Sequence, residues 1–145
     1  MDSSLYEKDF ALWVEQQSKY IEKREFEAID WENIQEEIAA LGRSERHELE
    51  NRLEVLLEHL LKRCYVNSAY DNRGWELTIK EQRKQIKRLL RSSPSLKDYL
   101  SKILPEIWQD ALSDVKDIYP SFPFPNQYPF ASDIDGLLSN QFWND

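Results

Sequence analysis

The chain has 145 residues, of which 41% are hydrophobic and 32% are charged, and its formal net charge is -8. This apolar content excludes an intrinsically disordered chain, and the length suits one domain, which we expect to span residues 1–145. The single cysteine, Cys64, excludes an internal disulfide framework and favours a reducing, cytoplasmic setting. We see no signal peptide and no run of the roughly 18 apolar residues that a membrane span needs.

The first half of the sequence predicts three helices. A capping box at Ser4 precedes an inward apolar stripe that extends to Ile21. Asp30 is a good N-cap for a second helix, and Gly42 is expected to end it. The apolar stripe of this second helix consists of Trp31, Ile34, Ile38 and Leu41. Ser44 then caps a third helix. Its inward stripe is the longest in the chain and consists of Leu49, Leu53, Leu56, Leu57, Leu60 and Cys64.

The second half of the sequence predicts two more helices, which are followed by a segment rich in proline and aromatic residues. Residues 67–74, NSAYDNRG, have the composition of a loop, and a fourth helix is expected from about Trp75 to Arg91. Residues 92–95, SSPS, end this helix. Pro105 suits the first turn of a further helix, because proline is well tolerated at that position.

The segment after Tyr119 cannot be helical, because PSFPFPNQYPF contains four prolines. Asp133 then caps a short terminal helix. We therefore expect an all-α fold: an antiparallel bundle of about five to six helices over residues 1–118, with an extended Pro/aromatic arm and a terminal helical turn over residues 119–145. The arm is expected to pack on the bundle rather than to bind a partner's groove as a polyproline-type ligand. The terminal pair Phe142 and Trp143 could equally cover a dimer neighbour, which leaves a homodimer open.

One segment of this acidic chain is strongly basic. Residues 80–91 contain six basic residues and one acid, so the rest of the chain carries -13. That negative field opposes binding to a phosphate backbone, so we favour a solvated face or contact with an acidic protein over nucleic-acid binding. The candidate interaction face consists of Lys80, Lys84, Lys87, Arg88 and Arg91.

Polar side chains interrupt the inward faces of four predicted helices. These candidates are Gln17, Glu37, His59, Gln82 and Arg83. A buried polar group without a partner costs about 1–3 kcal/mol, so such groups usually bond to one another, and these five could meet in one cluster inside the bundle. The cluster could be catalytic, with His59 as general acid or base and Glu37 orienting it, or it could be a hydrogen-bond network that fixes helix register. We favour the network.

The motifs that carry standard chemistry are missing from the sequence. It has two histidines, no Glu-x-x-His or His-Glu-x-x-His pattern, no Gly-x-Ser-x-Gly and no phosphate-binding loop. We therefore expect no metal and no cofactor, and we favour a role without catalysis.

Several motifs together resemble a known family. They are YEKDFALWVEQQ (6–17), DWENIQEEIAALGRSER (30–46), LEVLLEHLLK (53–62), WELTIKEQRKQI (75–86) and FPFPNQYPF (122–130). Together they are similar to domain of unknown function family 29, which comprises small bacterial proteins. The resemblance implies an all-helical fold but carries no activity. It directs attention to the matching positions Asp9, Trp13, Gln17, Asn33, Glu36, Glu37, Gly42, His59, Trp75, Gln82 and Arg83.

The function remains unknown from the sequence, and we favour a small non-enzymatic module that binds another protein or regulates it. The first alternative is a small hydrolase or ligand-binding bundle that uses the polar cluster. The second alternative is nucleic-acid binding through the basic segment.

Overall fold

The computed structural model describes the backbone of residues 3–144 and the side chains of residues 5–144. These residues contain no strand and form six α-helices, which confirms the all-α fold. The helices are α1 (Ser3–Lys8), α2 (Phe10–Glu22), α3 (Trp31–Leu61), α4 (Asn72–Ser92), α5 (Leu96–Ile118) and α6 (Ile134–Leu137). A π-helical turn, Lys62–Val66, continues α3. Among the described residues, no helix combines the length and the apolar character that crossing a bilayer requires.

The chain forms two compact units, residues 1–44 and residues 45–145, which we call the N-terminal unit and the C-terminal unit. Helix α3 contributes its first 14 residues to the former and the remainder to the latter. The expectation of one domain over residues 1–145 stays a prediction.

The first predicted helix is broken into α1 and α2 at Asp9. Asp9 leaves the helical region at φ -149° and ψ 83°, and its carboxylate accepts a hydrogen bond from the backbone N–H of Leu12 at 3.1 Å. Asp9 therefore acts as an N-cap inside a stripe that looked continuous in the sequence. The capping box predicted at Ser4 lies outside the described side chains.

Helix α3 begins directly after Asp30, as predicted, but it does not end at Gly42. It runs for 31 residues through both Gly42 and Ser44, so the predicted division into a second and a third helix was wrong. Gly42 has no positive φ that would turn the chain. Glycine in a helix interior costs about 1 kcal/mol, which the burial of the leucines that follow readily outweighs.

The core of the C-terminal unit is built on the predicted leucine stripe of α3. Leu49, Leu53, Leu56, Leu57 and Leu60 are fully buried there, together with Ile79 and Ile86 of α4. Cys64 is only half-buried, and burial raises the pKa of its thiol to about 11.

Helix α4 begins at Asn72, three residues before the predicted start at Trp75, so Gly74 is helical and the loop before it is shorter than expected. Asn67 ends the preceding π-helical turn in the left-handed region at φ 53°, a conformation that asparagine tolerates better than most residues.

Helix α5 passes through Pro105 without a break, so the expected helix start at that residue was wrong. An internal proline removes one backbone hydrogen bond and costs about 3 kcal/mol. Leu104, Ile107 and Trp108 are buried on both sides of it, and their burial exceeds this cost.

The Pro/aromatic segment after α5 packs on the core of its own unit. Phe124 is buried, and the rings of Tyr128 and Phe130 lie edge-on to Trp108 at 5.5 and 6.2 Å between centroids. Asp133 caps α6 by accepting from the Gly136 N–H at 2.8 Å. A Cβ at Gly136 would lie 2.8 Å from the Cβ of Ala131, so the close approach of this turn requires glycine.

Candidate functional site

The predicted inward stripes of α2 and of the start of α3 are largely exposed, and they line a groove of about 480 Å³ in the N-terminal unit. Its apolar lining consists of Phe10, Val14, Ile21, Ile34, Ile38 and Leu41. Ile38 and Leu41 are 64% and 72% exposed. We call this feature the apolar groove. The expectation that these stripes face a core was therefore wrong for most of their residues.

Two buried side chains, Trp13 and Gln17, also line the apolar groove and are fixed by Asp30. The indole N–H of Trp13 donates to the Asp30 carboxylate at 3.2 Å, and the side-chain amide of Asn33 donates to the same oxygen at 2.7 Å. The Asp30 backbone N–H donates to Gln17 Oε1 at 2.8 Å. Asp30 thus joins the start of α3 to the buried side of α2.

Glu37 lies in the apolar groove and accepts a hydrogen bond from the hydroxyl of Tyr6. This bond, followed by burial and the negative charge of Glu37, raises the pKa of Tyr6 to about 12. The Tyr6 ring lies edge-on to Trp13 at 4.6 Å, and Phe10 stacks on Trp13 at 5.7 Å. Glu37 is therefore held by α1 and the aromatic cluster rather than by a histidine.

The apolar groove belongs to an acidic unit. Residues 1–44 contain eleven Asp or Glu and five Lys or Arg, for a net charge of -6. Glu15 and Glu22 lie three residues before and four residues after the groove residue Ser18, which places them on its side of α2, where Glu15 pairs with Lys19 at 3.5 Å. The surface is thus apolar at its centre and negative beside it.

A second groove, of about 680 Å³, lies between α4 and the residues that follow α6 in the C-terminal unit. Its cationic lining consists of Arg73, Lys80, Arg83, Lys84, Lys87 and Arg91. We call this feature the basic groove. Four of the five residues of the predicted interaction face line it. Arg88, the fifth, is exposed but does not line the groove.

Arg83 and Arg63 attach the C-terminal segment that forms the other wall of the basic groove. Arg83 Nη2 donates to the carbonyl oxygen of Asn140 at 2.6 Å, and its guanidinium lies 5.8 Å from the Phe142 ring centroid. Arg63 is 6% exposed and lies 5.5 Å from the ring centroid of Trp143. Both arginines therefore hold aromatic residues of this segment.

The predicted polar cluster divides between the two units. Gln17 and Glu37 share the apolar groove. The other three candidates lie in the C-terminal unit, and the hydrogen bonds described for them are to residues outside the predicted cluster. His59 Nδ1 lies 2.8 Å from the Val55 carbonyl oxygen. Gln82 accepts from Arg52 at 3.2 Å, and Arg83 donates to the Asn140 carbonyl oxygen. Burial lowers the pKa of His59. One cluster of all five residues stays a prediction.

Comparison with known families supports the resemblance seen in the motifs. Residues 5–143 match the family model described as Domain of unknown function DUF29. The chain belongs to the DUF29 family. No curated protein and no solved structure matches it.

This DUF29 chain also contains an acidic cluster that sequence reasoning missed. Glu54, Glu58 and Asp114 place carboxylate oxygens within 4.8 Å of one another, close enough to share a cation. Burial, then a hydrogen bond to Asp114 and the charge of Glu54, raise the pKa of Glu58 to about 7, while Lys62 acts in the opposite direction. The i,i+4 spacing of Glu54 and Glu58 beside the leucine stripe was the available signal.

Replacing Glu58 by glutamine is expected to stabilise this DUF29 chain at pH 8 and to have little effect at pH 4.5. The unfolded side chain ionises near pH 4.5 and the folded one near pH 7, so stability falls as pH rises through this window. Because Glu58 is only partly buried, solvent screening reduces the gain to about 1 kcal/mol.

Urea titrations at the two pH values measure the effect of Glu58→Gln, with Glu106→Gln, at an exposed position of α5, as the control. An equal change in both variants at pH 8 would contradict the role of burial and of Asp114.

Proposed function

We propose that this DUF29 chain is a cytoplasmic protein-interaction module whose apolar groove binds a basic amphipathic helix of a partner protein. The observation that carries the proposal is the cluster of large exposed apolar side chains that line one continuous groove in an acidic unit. Soluble proteins rarely expose such patches without a binding role. The single cysteine supports the cytoplasmic setting, because disulfide frameworks are typical of oxidising compartments.

The dimensions of the apolar groove suit a helix. The groove residues of α2 run from Phe10 to Ile21, which corresponds to about 17 Å along the helix axis. A partner helix of three to four turns spans this length and presents apolar residues at i, i+3 or i+4, and i+7. Ile38 and Leu41 on the α3 side would then become buried, and each such residue contributes about 1.5–3 kcal/mol when fully removed from water.

The charge of the N-terminal unit favours a basic partner. With a net charge of -6 and with Glu22 beside the groove, the unit attracts Lys and Arg on the polar face of an incoming helix. A second copy of the same unit carries the same charge, which opposes a groove-to-groove homodimer. Charge complementarity thus selects a different protein over a second copy.

Site-specific photo-crosslinking in native cells tests the proposal. A benzophenone amino acid is placed at Leu41, which lines the groove, and separately at Leu12, which is 48% exposed but lies outside it. We expect crosslinks at Leu41 to map by mass spectrometry to one basic amphipathic helix of another protein, with few at Leu12.

Introducing Ile38→Ser and Leu41→Ser should weaken binding of the crosslinked segment at least tenfold, because the central apolar contacts are lost. The matched control Leu12→Ser should leave it unchanged. Crosslinks to a second copy of the chain, or equal crosslinking at Leu12 and Leu41, would overturn the proposal.

A further inference from the structure

The basic groove carries a line of cations along one face of α4. Arg73, Lys80, Lys84, Lys87 and Arg91 all line it, at intervals of seven, four, three and four residues. A helix rises 1.5 Å per residue, so this cationic stripe is about 27 Å long. Its length and straightness match an extended or helical segment of a macromolecule better than a small ion.

Most of the charge in this stripe is not neutralised within the described residues. Among the described residues, the cationic stripe forms an ion pair through Lys84, whose Nζ lies 3.8 Å from Glu81, and both of these side chains are about half exposed. Glu76 also lines the groove, but it is paired with Arg63 at 2.7 Å. Lysines and arginines spaced three or four residues apart on one helix repel each other, and an anionic occupant would relieve that repulsion.

The basic groove is also partly apolar. Leu77, which is 50% exposed, lines one side, and Leu138 and Trp143 line the other. Arg83 also lines the groove, and its Nε is buried without a hydrogen-bond partner in the described structure. The surface therefore offers apolar contacts beside a row of cations, which is the complement of a segment that combines carboxylates with apolar side chains.

We propose that the basic groove binds an acidic, apolar segment of a partner protein, with carboxylates on the α4 cations and apolar side chains against Leu77 and Trp143. A nucleic acid is disfavoured as the occupant, because the remainder of the chain carries -13 and repels any strand that extends beyond the 27 Å stripe. A short acidic peptide can fit within the stripe. This site is separate from the apolar groove and selects the opposite charge.

Fluorescence anisotropy with the full chain tests this proposal. The probes are a fluorescein-labelled 15-residue peptide of five Glu-Glu-Leu repeats, a 15-residue oligoglutamate and a 15-nucleotide oligothymidylate. At 150 mM salt we expect the Glu-Glu-Leu peptide to bind at least fivefold more tightly than either other probe. Tighter binding of oligothymidylate would overturn the proposal and assign the groove to nucleic acid, and no peptide binding at 100 µM would also overturn it.

Two variants separate the charged contribution from the apolar one. Lys84→Glu with Lys87→Glu should weaken peptide binding at least tenfold, while the melting temperature changes little because both side chains are exposed. Leu77→Ser should weaken the Glu-Glu-Leu peptide and not oligoglutamate, since only the former makes apolar contacts.

The matched control is Lys19→Glu with Lys102→Glu, which changes the net charge equally at exposed positions outside the groove. It should alter binding less than twofold, and an equal loss in both double variants would show that only net charge matters. All groove variants lie in the C-terminal unit, so their outcome is independent of the apolar-groove experiment.

Discussion

Replacing Arg63 by methionine is expected to lower the free energy of unfolding by about 3 kcal/mol. Arg63 is 6% exposed, and its Nε donates to Glu76 Oε2 at 2.7 Å. Its other nitrogens donate to Asn67 Oδ1 at 3.1 Å and to the Asn144 carbonyl oxygen at 3.4 Å. Methionine fills much of the same volume but leaves the Glu76 carboxylate without its cation and releases the contact with Trp143.

Urea unfolding followed by circular dichroism measures the effect of Arg63→Met. The matched control is Arg43→Met, which removes a pair of similar length, 2.8 Å to Glu36, from an exposed position. That variant should change stability by less than about 0.5 kcal/mol, because exposed ion pairs contribute little. If both variants had the same small effect, the anchoring role of Arg63 would be wrong.

Replacing Asp30 by alanine is expected to destabilise the N-terminal unit by about 3 kcal/mol. The change removes the acceptor of the Asn33 backbone N–H in the first turn of α3, which lies 3.5 Å from Asp30 Oδ1, and loss of such a capping contact costs up to about 1 kcal/mol. It also leaves the indole N–H of Trp13 without an acceptor, and Trp13 is only 2% exposed. An unsatisfied buried donor adds about 1–3 kcal/mol.

The same unfolding assay, monitored by tryptophan fluorescence, measures the effect of Asp30→Ala. Asp30→Asn retains one side-chain oxygen, which can accept either from the Trp13 indole or from the Asn33 backbone N–H, so it should cost about half as much as the alanine variant. Glu32→Ala, in the first turn of α3 and exposed, should cost less than about 1 kcal/mol, because only a favourable interaction with the helix dipole is lost. Equal losses for the alanine and asparagine variants would contradict the role of the shared hydrogen bonds.

Periodicity alone was sufficient to predict the fold class and the core stripe of α3. Leucines at every third or fourth position all lie on one face of a helix, and a face of this kind is stable only when it is buried. The terminal turn capped by Asp133 was predicted for an equally local reason, because its side chain bonds to a backbone N–H three residues away.

Helix boundaries at Gly42 and Pro105 could not be predicted, because local propensity competes there with burial elsewhere. Gly42 and Pro105 each weaken a helix, but the burial of neighbouring apolar side chains stabilises the helix by more than this cost. That burial depends on tertiary structure, which the local sequence does not show. For the same reason, the amphipathic stripe of α2 was assigned to a core. A pattern shows which face is apolar, but it does not show whether the same chain covers that face.

The basic stripe was recognised in the sequence, whereas Arg63 was not. Arg63 follows Leu49, Leu53, Leu56 and Leu60 at the same helical spacing, so the pattern itself placed a cation on the buried face. The sequence interpretation gave that place to Cys64. The partners of Arg63 come from positions as distant as Asn144, and no local pattern identifies them.

The C-terminal segment that walls the basic groove is attached by contacts between residues far apart in the sequence. Arg63 and Asn144 are separated by 81 positions, and Arg83 and Asn140 by 57. Residues 138–144 contain no helix, so this segment can open without unfolding of the helices on which it packs. The basic groove therefore exists only while this segment stays packed on the C-terminal unit. Amide hydrogen exchange along residues 138–144 would measure how often the segment opens.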